Sequence, residues 1–336
     1  MKKIMFWTSL VLGVVVLVGC GGGGGSQGTG LMSSTGRAGE VLIVCSDKHW
    51  KGEVGDSLQE ILMQPVLILP QYEPMFLLSH TTPQRFSVAY QKIRNIVILS
   101  IDTSLEKGKV SIAYNRWAAA QMVISISANN TQNLINELSI YQHVIINRLM
   151  AREMKRFLQA QKSRQDFLLS REIEKQYNVA MVIPTGFIFA VKNSNFCWMR
   201  RDTKTWIQNI LIYTQDYVSV EQFSTKYIVQ LRDSLTKQNV FGSADNSYVT
   251  VNTKDYPPIS DQSAVFGENY ALRTVGLWET EGDHMGGPFV NFTILDREKN
   301  RVVTIDAFLY APGDKKRDLL RQIEAIIVGM EMRGEM

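Results

Sequence analysis

The densest cluster of side chains able to do chemistry is Trp278-Glu279-Thr280-Glu281-Gly282-Asp283-His284-Met285-Gly286-Gly287, which holds three carboxylates and an imidazole within six residues. Carboxylates suit hard cations, and a histidine among them suits zinc or manganese. An extended backbone would place Glu279, Glu281 and Asp283 on one face. A solvated connection between two strands explains the same residues. A second cluster, Asp47-Lys48-His49-Trp50, follows the apolar run Val41-Leu42-Ile43-Val44. It stands at the carboxyl end of an expected strand, where sites collect in open α/β sheets. A plain loop with Trp50 as a packing anchor is the alternative. The third, Trp198-Met199-Arg200-Arg201-Asp202, offers two guanidinium forks that bind carboxylate or phosphate in a bidentate manner. Ion pairing inside the protein, with Asp202 or the acidic loop, would occupy them instead.

The candidate metal ligands are therefore His49, Glu279, Asp283 and His284. The candidate ligand-binding residues are Trp50, Trp198, Arg200, Arg201 and Trp278. His80 and His143 read as structural. No HExxH, EF-hand loop or CxxC accompanies them, so no cofactor is expected, with a divalent metal as the alternative.

Around these clusters the pattern alternates short apolar runs with helical periodicity. Strands are expected at Glu40–Cys45, Met75–Leu78, Asn95–Ile101, Lys109–Tyr114 and Met122–Ser127, with a helix over Val54–Met63. A long stretch from Thr131 has Leu134, Leu138, Tyr141, Ile145, Leu149, Phe157 and Leu158 approximating one stripe, with no Pro or Gly until Pro184. It predicts two helices bending near Gln161–Gln165, or one helix bridging two halves. Arg148 to Lys175 contains eight basic and four acidic residues, which reads as a solvated face or a contact for anionic lipid. Further strands are expected at Val179–Ile183, Phe187–Val191, Ile207–Tyr213, Leu272–Leu277, Phe289–Leu295 and Val302–Leu309. Helices are expected over Val220–Leu235 and Asp314–Met330, with a long loop over Gly242–Asp261.

The fold class is α+β. Two mixed sheet-and-helix halves, 40–163 and 164–336, are joined by the long helical segment. Each ends strand, turn, strand, helix, a pattern that would fit a diverged duplication.

The chain has 336 residues, 45% of them hydrophobic and 20% charged, with a net charge of +4 and three cysteines. That excludes wholesale disorder and a disulfide-dense scaffold. It is too weakly basic for a dedicated nucleic-acid binder.

Lys2 and Lys3 precede an apolar run too short to span a bilayer, the layout of a secretory signal. Its end, Leu17-Val18-Gly19-Cys20, resembles the lipobox of bacterial lipoproteins. The resemblance implies a signal peptide over 1–19, a diacylglycerol thioether on Cys20 and acylation, for instance palmitate, of the new amino terminus. Residues 20–39 are rich in Gly and Ser and would form a flexible tether spanning roughly 25 Å. Gly21 is not the Asp associated with inner-membrane retention, so the periplasmic face of an outer membrane is the expected location. The partners expected are the membrane, through the lipid, and an envelope protein or glycan. Cys45 and Cys197 remain, either as buried thiols or as a disulfide between the halves.

Several segments also resemble an uncharacterised family of bacterial envelope lipoproteins, a domain of unknown function. They include Gly39-Glu40-Val41-Leu42-Ile43-Val44, Pro74-Met75-Phe76, Arg94-Asn95-Ile96, Trp117-Ala118, Trp198-Met199-Arg200-Arg201, Gly276-Leu277-Trp278-Glu279 and Met285-Gly286-Gly287-Pro288-Phe289. The resemblance implies a lipid-anchored envelope protein of two α+β halves and no particular activity. The expected function is a non-enzymatic binding or interaction module, with a concave surface between the lobes as its site. The alternative is a metal-assisted hydrolase acting on an envelope polymer through Asp283, His284 and His49.

Overall fold

The computed structural model describes residues 30–263, 266 and 268–333. Cys20 and the signal segment lie outside the described residues.

The N-terminal half consists of β1 (Glu40–Val44), α1 (Asp47–Trp50), α2 (Glu53–Leu62), β2 (Leu77–Thr81), β3 (Asn95–Ile101), β4 (Lys109–Tyr114) and β5 (Met122–Ala128). Its sheet has the order β2-β1-β3-β5-β4. All pairs are parallel except β4 on β5. Strands covered on both faces need continuous apolar runs, which is why Val41 to Val44 do not alternate. Ile43, Val97 and Ile124 pack under Val54 and Leu58 of α2. Leu42, Val44, Ile96 and Val123 pack under Phe86, Ile93 and Trp117 on the other face.

Next comes α3 (Thr131–Lys162), 32 residues and about 48 Å long. The Asn130 side chain caps it by accepting from the Asn133 N–H at 2.9 Å. Leu134, Leu138, Ile145 and Leu149 are its buried stripe. The chain breaks after Lys162, where Asp166 caps α4 (Phe167–Tyr177) through the N–H groups of Leu168 and Leu169. The long stretch is thus two helices.

The C-terminal half contains β6 (Val179–Ala180), β7 (Ile188–Lys192), β8 (Phe196–Asp202), β9 (Ile207–Asp216), α5 (Thr225–Asn239), β10 (Tyr248–Val251), β11 (Ile259–Ser263), β12 (Ala271–Glu281), β13 (Gly286–Asp296), β14 (Arg301–Tyr310), α6 (Arg317–Val328) and β15 (Glu331–Met332). Eight strands form an antiparallel sheet ordered β10-β12-β13-β14-β9-β8-β7, with β11 also on β12. The segment Gly242–Asp261, expected to be a loop, carries β10. Val249 and Val251 alternate inwards there, a period too short to stand out among polar neighbours. One face of the sheet, with Met199, Ile210, Phe292 and Ile305, lies under Ile173 of α4 and Ile323, Ile326 and Ile327 of α6. The other face, with Trp198, Leu211, Trp278, Phe289 and Phe308, lies under Val229 and Leu235 of α5.

The fold is α+β in two parts with α3 between them. A parallel sheet in one half and an antiparallel meander in the other do not share a topology. The similar endings of the halves are therefore no trace of duplication. Residues 30–39, expected as free tether, instead lie along the N-terminal half, with Ser33 bridged to Ala119 and Thr35 to Ile93. No helix of the described residues is long and apolar enough to cross a membrane.

Candidate functional site

Of the five residues expected to bind a ligand, the structure brings three together. Trp198 and Arg200 are two apart on β8 and share a face. With Trp278 they line a cleft of only about 40 Å³ under Phe241 and Met285. Both indoles are buried, and their N–H groups are spent inside: Trp198 donates to Asn209 Oδ1 at 3.0 Å and Trp278 to the Leu309 carbonyl at 3.2 Å. The guanidinium of Arg200 is held by both oxygens of Asp202, at 2.8 and 2.6 Å, so its fork is filled by internal pairing. Arg201, next along the strand, faces the opposite side and lies 5.4 Å over the Trp206 ring. Burial, with Arg164 nearby, pushes its guanidinium below the usual arginine range.

Trp50 is not part of this cleft. It belongs to the N-terminal core and stacks on His80 at 4.9 Å. There, at the carboxyl end of β1, every polar group of interest has a local partner. His80 Nε2 lies 3.0 Å from the Cys45 carbonyl, and His49 Nδ1 lies 3.0 Å from Ser46 Oγ. Burial pushes the Cys45 thiol up to about 11. Cys197 is likewise raised to about 11 by burial. Both thiols are free, so no disulfide joins the halves.

The acidic stretch forms the β12–β13 hairpin. Glu279 accepts from Asn252 Nδ2 at 2.9 Å. Asp283 accepts from Ser243 Oγ at 2.6 Å, Ser243 N–H at 2.9 Å and His284 N–H at 2.7 Å. These bonds hold its carboxyl down to about 2. Asp283 therefore latches the loop before β10 to the hairpin. His284 borders a cleft of about 410 Å³ that His49 does not line. Among the described residues no three His, Cys, Asp or Glu side chains are grouped to hold a metal.

The largest of the cavities described for the structure lies elsewhere, between the halves. It measures about 700 Å³ and runs between α3 on one side and α6, β11 and β12 on the other. A second cavity of about 320 Å³ adjoins it, and Met75, Met150, Arg273 and Glu324 line both. On α3 the lining is Ile146, Met150, Met154 and Leu158, spaced every four residues so that they stack on one face. This second apolar row, one residue beyond the core stripe, was visible in the sequence but easily merged with it. Across the groove stand Phe292, Ala325 and Val328. Arg273 reaches from β12 to Glu324 on α6 at 2.9 Å and to Asp261 on β11 at 3.7 Å.

Long-range polar contacts hold the groove's walls in place. Glu73, from the N-terminal half, accepts from the first N–H groups of α6, at Lys316 (2.6 Å) and Arg317 (3.2 Å). Such an acceptor satisfies donors that a helix start leaves unpaired. Arg317 donates to the Pro74 carbonyl at 2.8 Å and Arg321 to the Met75 carbonyl at 2.9 Å. Two of the basic residues of α3 are engaged too, while Arg148 and Lys155 stay exposed as on a solvated face. Arg152 and Arg156 both donate to the Ala120 carbonyl, at 3.2 and 2.9 Å.

Two family models match the chain. Residues 34–162 match the domain of unknown function DUF8532, and residues 166–329 match the domain of unknown function DUF4837. Together they cover most of the chain. No curated protein matches it by sequence. Solved structures similar to part of it include a mutant of the protein Mog1, at 14% identity over 46% of this chain and 90% of that one, TM-score 0.28. The Ran-binding protein Mog1p of Saccharomyces cerevisiae is 12% identical over 46% and 90%, TM-score 0.30. LpqN of Mycobacterium tuberculosis, involved in cell envelope biogenesis, is 10% identical over 46% and 83%, TM-score 0.28. At these scores the likeness does not extend to a shared site or activity.

Proposed function

We propose that this chain, most of which matches two uncharacterised domains of unknown function, is a non-enzymatic binding protein of the cell envelope, held at the membrane through a lipid on Cys20. The observation that carries the reading is the groove between the halves. Its volume of about 700 Å³ falls within the range of ligand sites, which are typically apolar clefts with a few convergent polar groups at domain junctions. Its walls come from both halves, so a bound molecule would rest on the whole fold. Of the residues named for a metal-assisted reaction, by contrast, Asp283 is held by Ser243 and His49 by Ser46, and His284 lines a different cleft from His49.

The test compares the full chain, purified from its own membranes, with Ala151→Trp. Ala151 is exposed and lines the groove, so an indole there fills space without disturbing the core. Solvent extracts of wild type should contain an apolar compound near unit stoichiometry, and the variant should lack it. Equal content in both proteins would show that the groove is not the site.

A further inference from the structure

We propose that the occupant of the groove is an anionic single-chain amphiphile, an acyl chain ending in a carboxylate or phosphate. This rests on reading the groove as the binding site and adds its chemistry.

Three observations converge on that class. The first is shape. From Ile146 to Leu158 the α3 wall rises about 18 Å, and the adjoining cavity extends the same space past Met75 and Met150. A long cleft of this kind suits a flexible chain better than a compact ring system. The second is the lining. Met75, Met150 and Met154 present unbranched thioethers, which adapt to chains of varying conformation.

The third is charge. Arg273, in the middle of the groove, is neutralised by Glu324 and Asp261. A second cation on its lining is not matched in this way: Lys155 is exposed at the rim and makes no ion pair or hydrogen bond with a described residue. Arg321, on the wall of the adjoining cavity, is buried with Nη2 on the Met75 carbonyl and the Met150 sulfur, and its Nη1 is closed off from that space. An acidic head group at the rim would give Lys155 its counter-charge, and a cationic one would be repelled by it.

The experiment uses the full chain in phosphatidylcholine nanodiscs, a palmitate analogue carrying a diazirine in its chain, and mass spectrometry of the labelled peptides. Label is expected on peptides from 146–158 and from α6. Palmitate or lysophosphatidylglycerol should suppress it, and the stronger of the two identifies the source of the head group. Hexadecanol and hexadecyltrimethylammonium should not. Lys155→Glu should weaken labelling on the order of tenfold, the cost of losing a charge-assisted contact, and Lys155→Arg should restore it. Equal competition by the alcohol or the cation, or undiminished labelling of Lys155→Glu, would overturn the anionic assignment while leaving the groove intact. Label absent from 146–158 and α6 with every probe would instead remove the groove itself.

Discussion

In the N-terminal half the buried carboxylate of Glu153 accepts from four donors: the Gly39 N–H at 3.1 Å, Asn95 Nδ2 at 2.9 Å, Arg94 at 3.3 Å and Arg156. In the C-terminal half the equally buried Arg232 and Asp306 meet through one 3.0 Å bond. Asp306 takes a second from Asn291 at 3.1 Å, but its other oxygen and both terminal nitrogens of Arg232 have no partner among the described residues. Arg232 instead lies 4.4 Å over the Phe289 ring. The first site ties β1, β3 and α3 together beside the groove. The second only fastens α5 to one face of the antiparallel sheet. A buried charge with all its hydrogen bonds made specifies an arrangement, while an undersatisfied pair is replaceable by apolar groups of similar volume.

The largest effect should come from separating the incomplete pair. Asp306→Ala leaves a buried guanidinium unmatched and should cost about 3–5 kcal/mol in urea unfolding. A loss below about 1 kcal/mol would mean that the ring contact alone holds Arg232. Next comes Glu153→Gln, which keeps the shape, removes the charge and turns one acceptor into a donor facing donors. A loss of about 1.5–3 kcal/mol is expected by the same measurement. An unchanged midpoint would contradict the contrast between the two sites.

Smaller still is the joint replacement of Arg232 by Met and Asp306 by Leu, expected within about 1 kcal/mol of wild type or above it. A penalty as large as that of Asp306→Ala would show that the C-terminal pair is as specific as the Glu153 site. The smallest effect concerns Asp283. Its carboxyl is held to about 2 in the fold, below the ordinary 3.8, so its contribution is fully present above pH 4 and is lost as the pH falls towards 2. In Asp283→Asn, amide exchange at Ser243 should quicken at neutral pH with little change in melting temperature. Protection equal to wild type would remove the latch.

Much of the local structure was legible beforehand because it depends on short-range rules. The apolar run of β1 and the spacing of Val54, Leu58 and Ile61 in α2 need only nearest neighbours to be read. The break near Gln161–Gln165 was one of two readings, and the structure decides it through the cap that Asp166 places on α4. The site was less legible. Trp198, Arg200 and Trp278 were found as a group, yet their polar atoms are consumed by Asn209, Asp202 and Leu309. Arg201 went astray because a strand turns neighbouring side chains to opposite faces. Trp50 went astray because proximity to a strand end says nothing about which half it will face.

What the sequence determined by itself was the class of the fold and most of its elements outside Gly242–Asp261, set by periodicity within a few residues, with the motif ending at Cys20 read as a resemblance. What only the tertiary structure decided was the parallel against antiparallel build of the two sheets, the seating of Arg152 and Arg156, and the groove. Its wall residues stand up to about 250 positions apart, from Met75 to Ala325 and Val328. Such a surface exists only once Glu73 has capped α6 and the second apolar row of α3 has been left uncovered by its own sheet, and no window of sequence contains both events.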